Sequence, residues 1–93
     1  MAIDIRPLLP FYDLSSIAKR IGAGEGIEEA GLRSGNRRME LVRSRKIFCQ
    51  LAVKKLGYNG AEVARYLGVT TSAVNRMANA ELLPKVKRYI KLF

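Results

Sequence analysis

Gly60 to Asn79 reads GAEVARYLGVTTSAVNRMAN. Its small and apolar residues fall at the spacing that packs two short helices at a steep angle. Counted from Gly60 as one, Val63, Leu67, Val69, Val74 and Met77 stand at positions 4, 8, 10, 15 and 18, with Ala64 at 5 and Gly68 at 9. Ala64 then lies where the helices cross, and Gly68 where the chain turns, which predicts a helix-turn-helix. Asn59 supplies a hydrogen-bond acceptor for the first helix's N-terminus, with Glu62 three residues on, and Gly68 has the backbone freedom to stop that helix after Leu67. Thr70, also expected to contact the DNA backbone, caps the next helix. Its outward face carries Thr71, Ser72, Asn75, Arg76 and Asn79, short hydrogen-bonding groups and one guanidinium, which suit a DNA major groove. An ordinary helical hairpin with a solvated face meets the same spacing. The face nevertheless holds no Glu, Asp or Lys, the residues that a merely solvated surface carries.

Upstream, residues 36 to 56 predict one long helix with Leu41, Val42, Phe48, Leu51, Ala52 and Leu56 turned inward. Arg37, Arg38, Arg43, Arg45, Lys46, Lys54 and Lys55 populate its outer side, where Glu40 is the lone acid. So lopsided a charge, directly before the helix-turn-helix, points to phosphate contact by the arginines at the start and by Lys46. For the remaining lysines, plain solvation serves as well.

Residues 1–12 hold two prolines and no helical period, and read as an extended lead-in or linker stub before a domain spanning 13–93. Asp13 can cap a helix that carries Leu14, Ile17, Ala18 and Ile21 on one face and is broken by Gly22, Gly24 and Gly26. The glycines lack the Gly-Lys-Ser/Thr ending of a phosphate-binding loop and are read as a turn. Ile27 to Leu32 fits a short helix ended near Gly35. After the recognition helix, Pro84 restarts a last helix with Val86, Tyr89, Ile90 and Phe93 inward and Lys85, Lys87, Arg88 and Lys91 outward. The expected fold is therefore a small all-α domain of five to six helices, with a long basic helix followed by the helix-turn-helix. The aromatics are scattered as core and edge residues and form no platform for stacking single-stranded bases.

Composition narrows the function. Among 93 residues, 17 Lys and Arg face 8 Asp and Glu, a net charge of +9 that calls for a polyanionic partner. Double-stranded DNA is the first candidate. A membrane surface fits poorly, because the apolar runs are short and no spanning or signal segment is visible. The absence of His removes His-based catalysis, and a single cysteine, Cys49, makes a zinc site untenable and suits a cytoplasmic, nucleoid-associated protein. No carboxylate pair sits in an apolar stretch that would tune an acid against a base. The expectation is a non-enzyme with no catalytic residue, metal, cofactor or small-molecule substrate.

The fragment RRMELVRSRKIFCQLAVKKLGYNGAEVARYLGV, starting at Arg37, resembles the long basic helix and helix-turn-helix of the C-terminal DNA-binding domain of the replication initiator DnaA, over residues 14 to 80. By that resemblance Arg37 enters the minor groove with Arg38 close behind, Arg45 holds backbone phosphate, and the recognition helix reads the major groove. The initiator's Asp-His-Thr-Thr run is replaced here by Thr70, Thr71, Ser72 and Ala73, and no Walker motif is present, so neither the initiator's site nor its ATPase carries over. LRSG-R, FC-LAV and GAEVAR-LGV-TSAV-R are similar, almost word for word, to the DnaA-like tail of transposases acting on repetitive extragenic palindromes. Those enzymes cut with a Tyr and a His pair. Lacking His, this chain would be the tail alone, apart from an N-terminal nuclease domain. A free-standing transcriptional regulator and a basic protein-interaction module remain the alternatives.

Overall fold

The computed structural model describes residues 13–35 and 38–91. The expected lead-in, Asn36, Arg37 and Phe93 lie outside the described residues. Among the described residues the fold is all-α: α1 (Leu14–Glu25), α2 (Glu29–Leu32), α3 (Met39–Cys49) continuing into π-helical turns (Gln50–Lys55), α4 (Gly60–Leu67), α5 (Thr71–Asn79) and α6 (Pro84–Ile90). None of these helices is long and apolar enough to cross a membrane.

Helix α3 is the axis of the molecule. Ile47 to Ala52 are six successive buried residues, which happens only when a helix is covered on every side. α1, α2 and α5 pack on α3, while α4, α5 and α6 pack on its π-helical continuation. Phe48 sits in a core shared with Ile17 and Ile21 of α1, Leu32 of α2, Val63 and Leu67 of α4, Val74 of α5 and Val86 of α6. The helix widens where it enters this core. The Leu56 N–H reaches back five residues to the Leu51 carbonyl at 3.0 Å and the Tyr58 N–H six to Ala52 at 2.9 Å, ending the helix before Gly57 at φ 79°. Val42, expected inside, is 38% exposed, because it lines an open cleft beside Gly35, Val69 and Met77 while its neighbour Leu41 is buried.

The stops and starts follow local chemistry. Asp13 accepts the Ser16 N–H at 2.7 Å, and that bond leads the interactions that hold its carboxyl below the ordinary range. α1 does not break at Gly22, as the glycines suggested, but runs three residues further to Glu25. Gly22 and Gly24 are contact points rather than breakers: a Cβ at Gly22 would stand 2.6 Å from the Ile27 carbonyl oxygen, and one at Gly24 would collide with the Tyr89 ring. The expected last helix begins at Pro84, with Val86 and Tyr89 buried and Lys85, Lys87, Arg88 and Lys91 exposed.

Two buried polar side chains tie the helices together. Gln50, wholly buried, donates from Nε2 to the carbonyls of Glu81 (3.0 Å), Met77 (3.2 Å) and Ala80 (3.4 Å) and accepts the Leu83 N–H at 3.0 Å. It thereby holds the end of α5 and the α5–α6 connection against the centre of the fold. Arg45 does the same for α2.

Candidate nucleic-acid interface

α4 and α5 are set by three local signals. The Asn59 side chain accepts the Ala61 N–H at 2.7 Å, Gly68 closes α4 in the left-handed region at φ 74°, and Thr70 Oγ1 accepts the Ala73 N–H at 3.0 Å. Thr70, read as a backbone contact, is thus engaged as a cap, although its hydroxyl hydrogen is still a donor. Val63, Ala64, Leu67 and Val74 are buried, with Val69 and Met77 half-buried beside them. That fixes the rotation of α5. Thr71, Ser72, Asn75, Arg76 and Asn79 are all exposed, and no carboxylate lies on the helix.

The outward face is not uniform. Asn75 lies against the start of α4: a Cβ at Gly60 would stand 2.6 Å from Asn75 Oδ1 and 3.9 Å from a Thr71 methyl. Gly60 therefore provides the space in which the Asn75 amide rests. Arg76 lies a hundred degrees further round the helix, away from α4 and toward the side on which Met77 meets α3.

The basic residues of α3 divide. Arg38, Val42 and Lys46 are spaced by four and share one ridge, and Val42 lines a cleft with Gly35, Arg45, Val69 and Met77 between the start of α3 and the turn before α5. Arg38 is exposed and Lys46 half-buried on that ridge. Arg43 is exposed as expected but sits elsewhere: it lines a hollow with Ile47, Leu83, Pro84 and Lys85, and its charge acts on Glu25 of α1. Lys54 and Lys55 are exposed at the far end of the helix. The arginines of the VRSR step are thus not one cluster.

Arg45 requires a correction. Expected as a phosphate contact on the outer side, it is 6% exposed, with Nε donating to the Leu32 carbonyl at 2.8 Å and an Nη to that of Gly31 at 3.2 Å. Burial draws its pKa below the ordinary arginine value. The guanidinium meets the carbonyls at the C-terminal end of the short α2, so it is turned into the fold rather than toward solvent.

Arg33 was not among the expected site residues. Its Nε donates to the Tyr66 carbonyl at 2.7 Å and its guanidinium lies 4.5 Å over the Tyr66 ring, which stacks on Phe48 at 5.6 Å. The Tyr66 hydroxyl donates to Glu29, which also accepts from Ser15 Oγ at 3.0 Å. These bonds, the tyrosine's foremost, keep the Glu29 carboxyl below its ordinary range despite some desolvation. The stack fixes an exposed guanidinium against the last turn of α4, while the backbone carbonyl of Arg33 lies close to Gly68. Its partners lie 33 residues away, so no local pattern signals it. Cys49 is buried, which pushes its thiol up to about 12 and keeps it protonated.

No protein family, curated protein or solved structure matches this chain.

Proposed function

We propose that this chain is a sequence-specific duplex-DNA-binding domain of the helix-turn-helix kind, with α5 in the major groove. One observation carries the reading: α5 presents Thr71, Ser72, Asn75, Arg76 and Asn79 outward together, without a carboxylate, on a helix whose rotation is locked by Val74 and Ala78. Arg76 pairs with guanine O6 and N7, Asn75 with adenine N6 and N7, and Ser72 and Thr71 supply single bonds to base edges. Arg38 and Lys46 meet backbone phosphate beside the groove, Arg33 approaches it from beside the end of α4, and Arg37 reaches the minor groove. The biological role is that of the targeting piece of a mobile-element protein, in keeping with the resemblance of the LRSG, FC-LAV and GAEVAR segments to transposase tails.

Titrating duplex DNA with the chain at several salt concentrations tests this. With Arg45 withdrawn, Arg33, Arg37, Arg38, Lys46 and one or two other cations neutralise about five to six phosphates, so log K falls with log salt at a slope of roughly −4.5 to −5.5. A slope shallower than about −2 removes the phosphate contacts and favours a protein-docking role.

A further inference from the structure

Among the described residues Arg45 is the only buried side chain that carries a charge, and it is 6% exposed. A buried charge is costly unless a charge of opposite sign meets it. Among the described residues none does. Nε and one Nη donate to the carbonyls of Leu32 and Gly31, which are neutral, and burial alone draws the pKa down, with no carboxylate to raise it. The other Nη makes no bond to a described residue. Because no buried side-chain nitrogen or oxygen among the described residues lacks a partner, that Nη is still accessible from outside.

Arg45 also lines the cleft between the start of α3 and the turn before α5. The cleft encloses about 480 Å³, a size that takes a small organic molecule. Its other lining residues are Gly35, Val42, Val69 and Met77, so its walls are aliphatic and thioether and bring no second charge. Met77 contributes a flexible, polarisable side chain that moulds to what it covers. Such a site asks its occupant for one anionic end, to neutralise the guanidinium, and for an apolar body. The planar fork of a guanidinium suits a carboxylate. A duplex backbone is too broad to reach a guanidinium 6% exposed among apolar walls, whereas one carboxylate on a slim apolar body can.

We propose that this cleft binds a small amphipathic monocarboxylate, its carboxylate on Arg45 and its apolar body between Val42, Val69 and Met77. Val69 belongs to the turn before α5 and Met77 to α5 itself, so the ligand joins α3 to the DNA-reading helix without using any residue of that helix's outward face. The site does not depend on what α5 binds.

The test uses phenylbutyrate as the probe, titrated into the nitrogen-labelled chain and followed by amide NMR shifts. Phenylbutanol, with the same apolar body and no charge, and dimethyl phosphate are the comparisons. The shifts are expected to saturate at Gly35, Val42, Val69 and Met77 with a Kd of about 1 mM or tighter. The alcohol binds about tenfold to a hundredfold more weakly, having lost a hydrogen bond to a charged group. Val42→Glu sets a competing acid at the rim, at a position exposed enough to leave melting unchanged, and is expected to weaken phenylbutyrate about tenfold. Arg45→Gln removes the charge and abolishes the preference for the acid over the alcohol; where its loss of the α2 carbonyls unfolds the chain, Val42→Glu decides alone. No saturation by about 10 mM, shifts centred away from the cleft, equal binding of acid and alcohol, or full affinity in Val42→Glu overturns the site. Dimethyl phosphate bound at the same amides as tightly as phenylbutyrate overturns it too, by returning Arg45 to phosphate contact. Each of these failures leaves duplex recognition by α5 to its own titration.

Discussion

Replacing Gln50 with Met keeps the length and approximate shape of the side chain and removes every hydrogen bond that it makes. Nε2 has two hydrogens for three carbonyls, those of Met77, Ala80 and Glu81, and Oε1 accepts the Leu83 N–H, so three bonds' worth of pairing is lost. Each is worth about 1 kcal/mol net. Ala80 and Glu81 are exposed and water can take over part of their pairing, whereas Leu83 is half-buried. The expected loss is then about 2–3 kcal/mol, which lowers the melting temperature of a domain this size by about 10–20 °C. Thermal unfolding followed by circular dichroism measures it. A shift smaller than about 3 °C would mean that water substitutes fully for the glutamine, and that the clamp on the end of α5 contributes nothing to stability.

Gly60→Ala places a methyl where Asn75 Oδ1 rests, and the exposed side chain swings aside, so melting is unchanged while the base preference shifts at one position; an unaltered preference in sequence selection would take Asn75 out of the readout. Ala64→Leu adds bulk to a buried position of α4 and is expected to cost about 1–3 kcal/mol, read by denaturant titration; a parent-like midpoint would place Ala64 away from the close approach of α4 to its neighbours. Burial pushes the Glu25 carboxyl up, but the bonds from Tyr89 and Lys85 outweigh it and leave the pKa below its ordinary 4.5. The depressed carboxyl stabilises the fold above 4.5 and that contribution is lost as pH falls through the folded value, so in acid the parent loses stability faster than Glu25→Gln; parallel pH profiles would refute that contribution.

What was legible in the sequence is what local chemistry determines. Asn59, Gly68 and Thr70 act within three or four residues of themselves, so the ends of α4 and α5 could be read directly, and the rotation of α5 followed from Val74 and Met77. Pro84 likewise marked the last helix. Arg45 and Gln50 were not legible as interior residues, because their partners lie 13 to 33 residues away and nothing near either one signals a carbonyl to meet. Gly22 and Gly24 look like breakers until α6 and the following turn are known to press on them. The π-helical turns escaped for a similar reason: a widening of the helix changes the phase of the inward residues, and only the surrounding core dictates it. For the candidate interface, the outward residues of α5 were readable one by one, but the separation of Arg43 from Arg38 and the stacking of Arg33 on Tyr66 depend on how distant elements meet.

Base reading by α5 is decided by Arg76→Ala. After selection of bound duplexes from a random pool, the variant and the parent are compared on the selected site and on unrelated duplex. Loss of a paired guanine contact predicts about 1–3 kcal/mol weaker binding on the selected site, much less on unrelated duplex, and a relaxed preference at one base pair. An equal loss on both would assign Arg76 to the backbone, and a parent that selects no sequence at all would contradict recognition by α5.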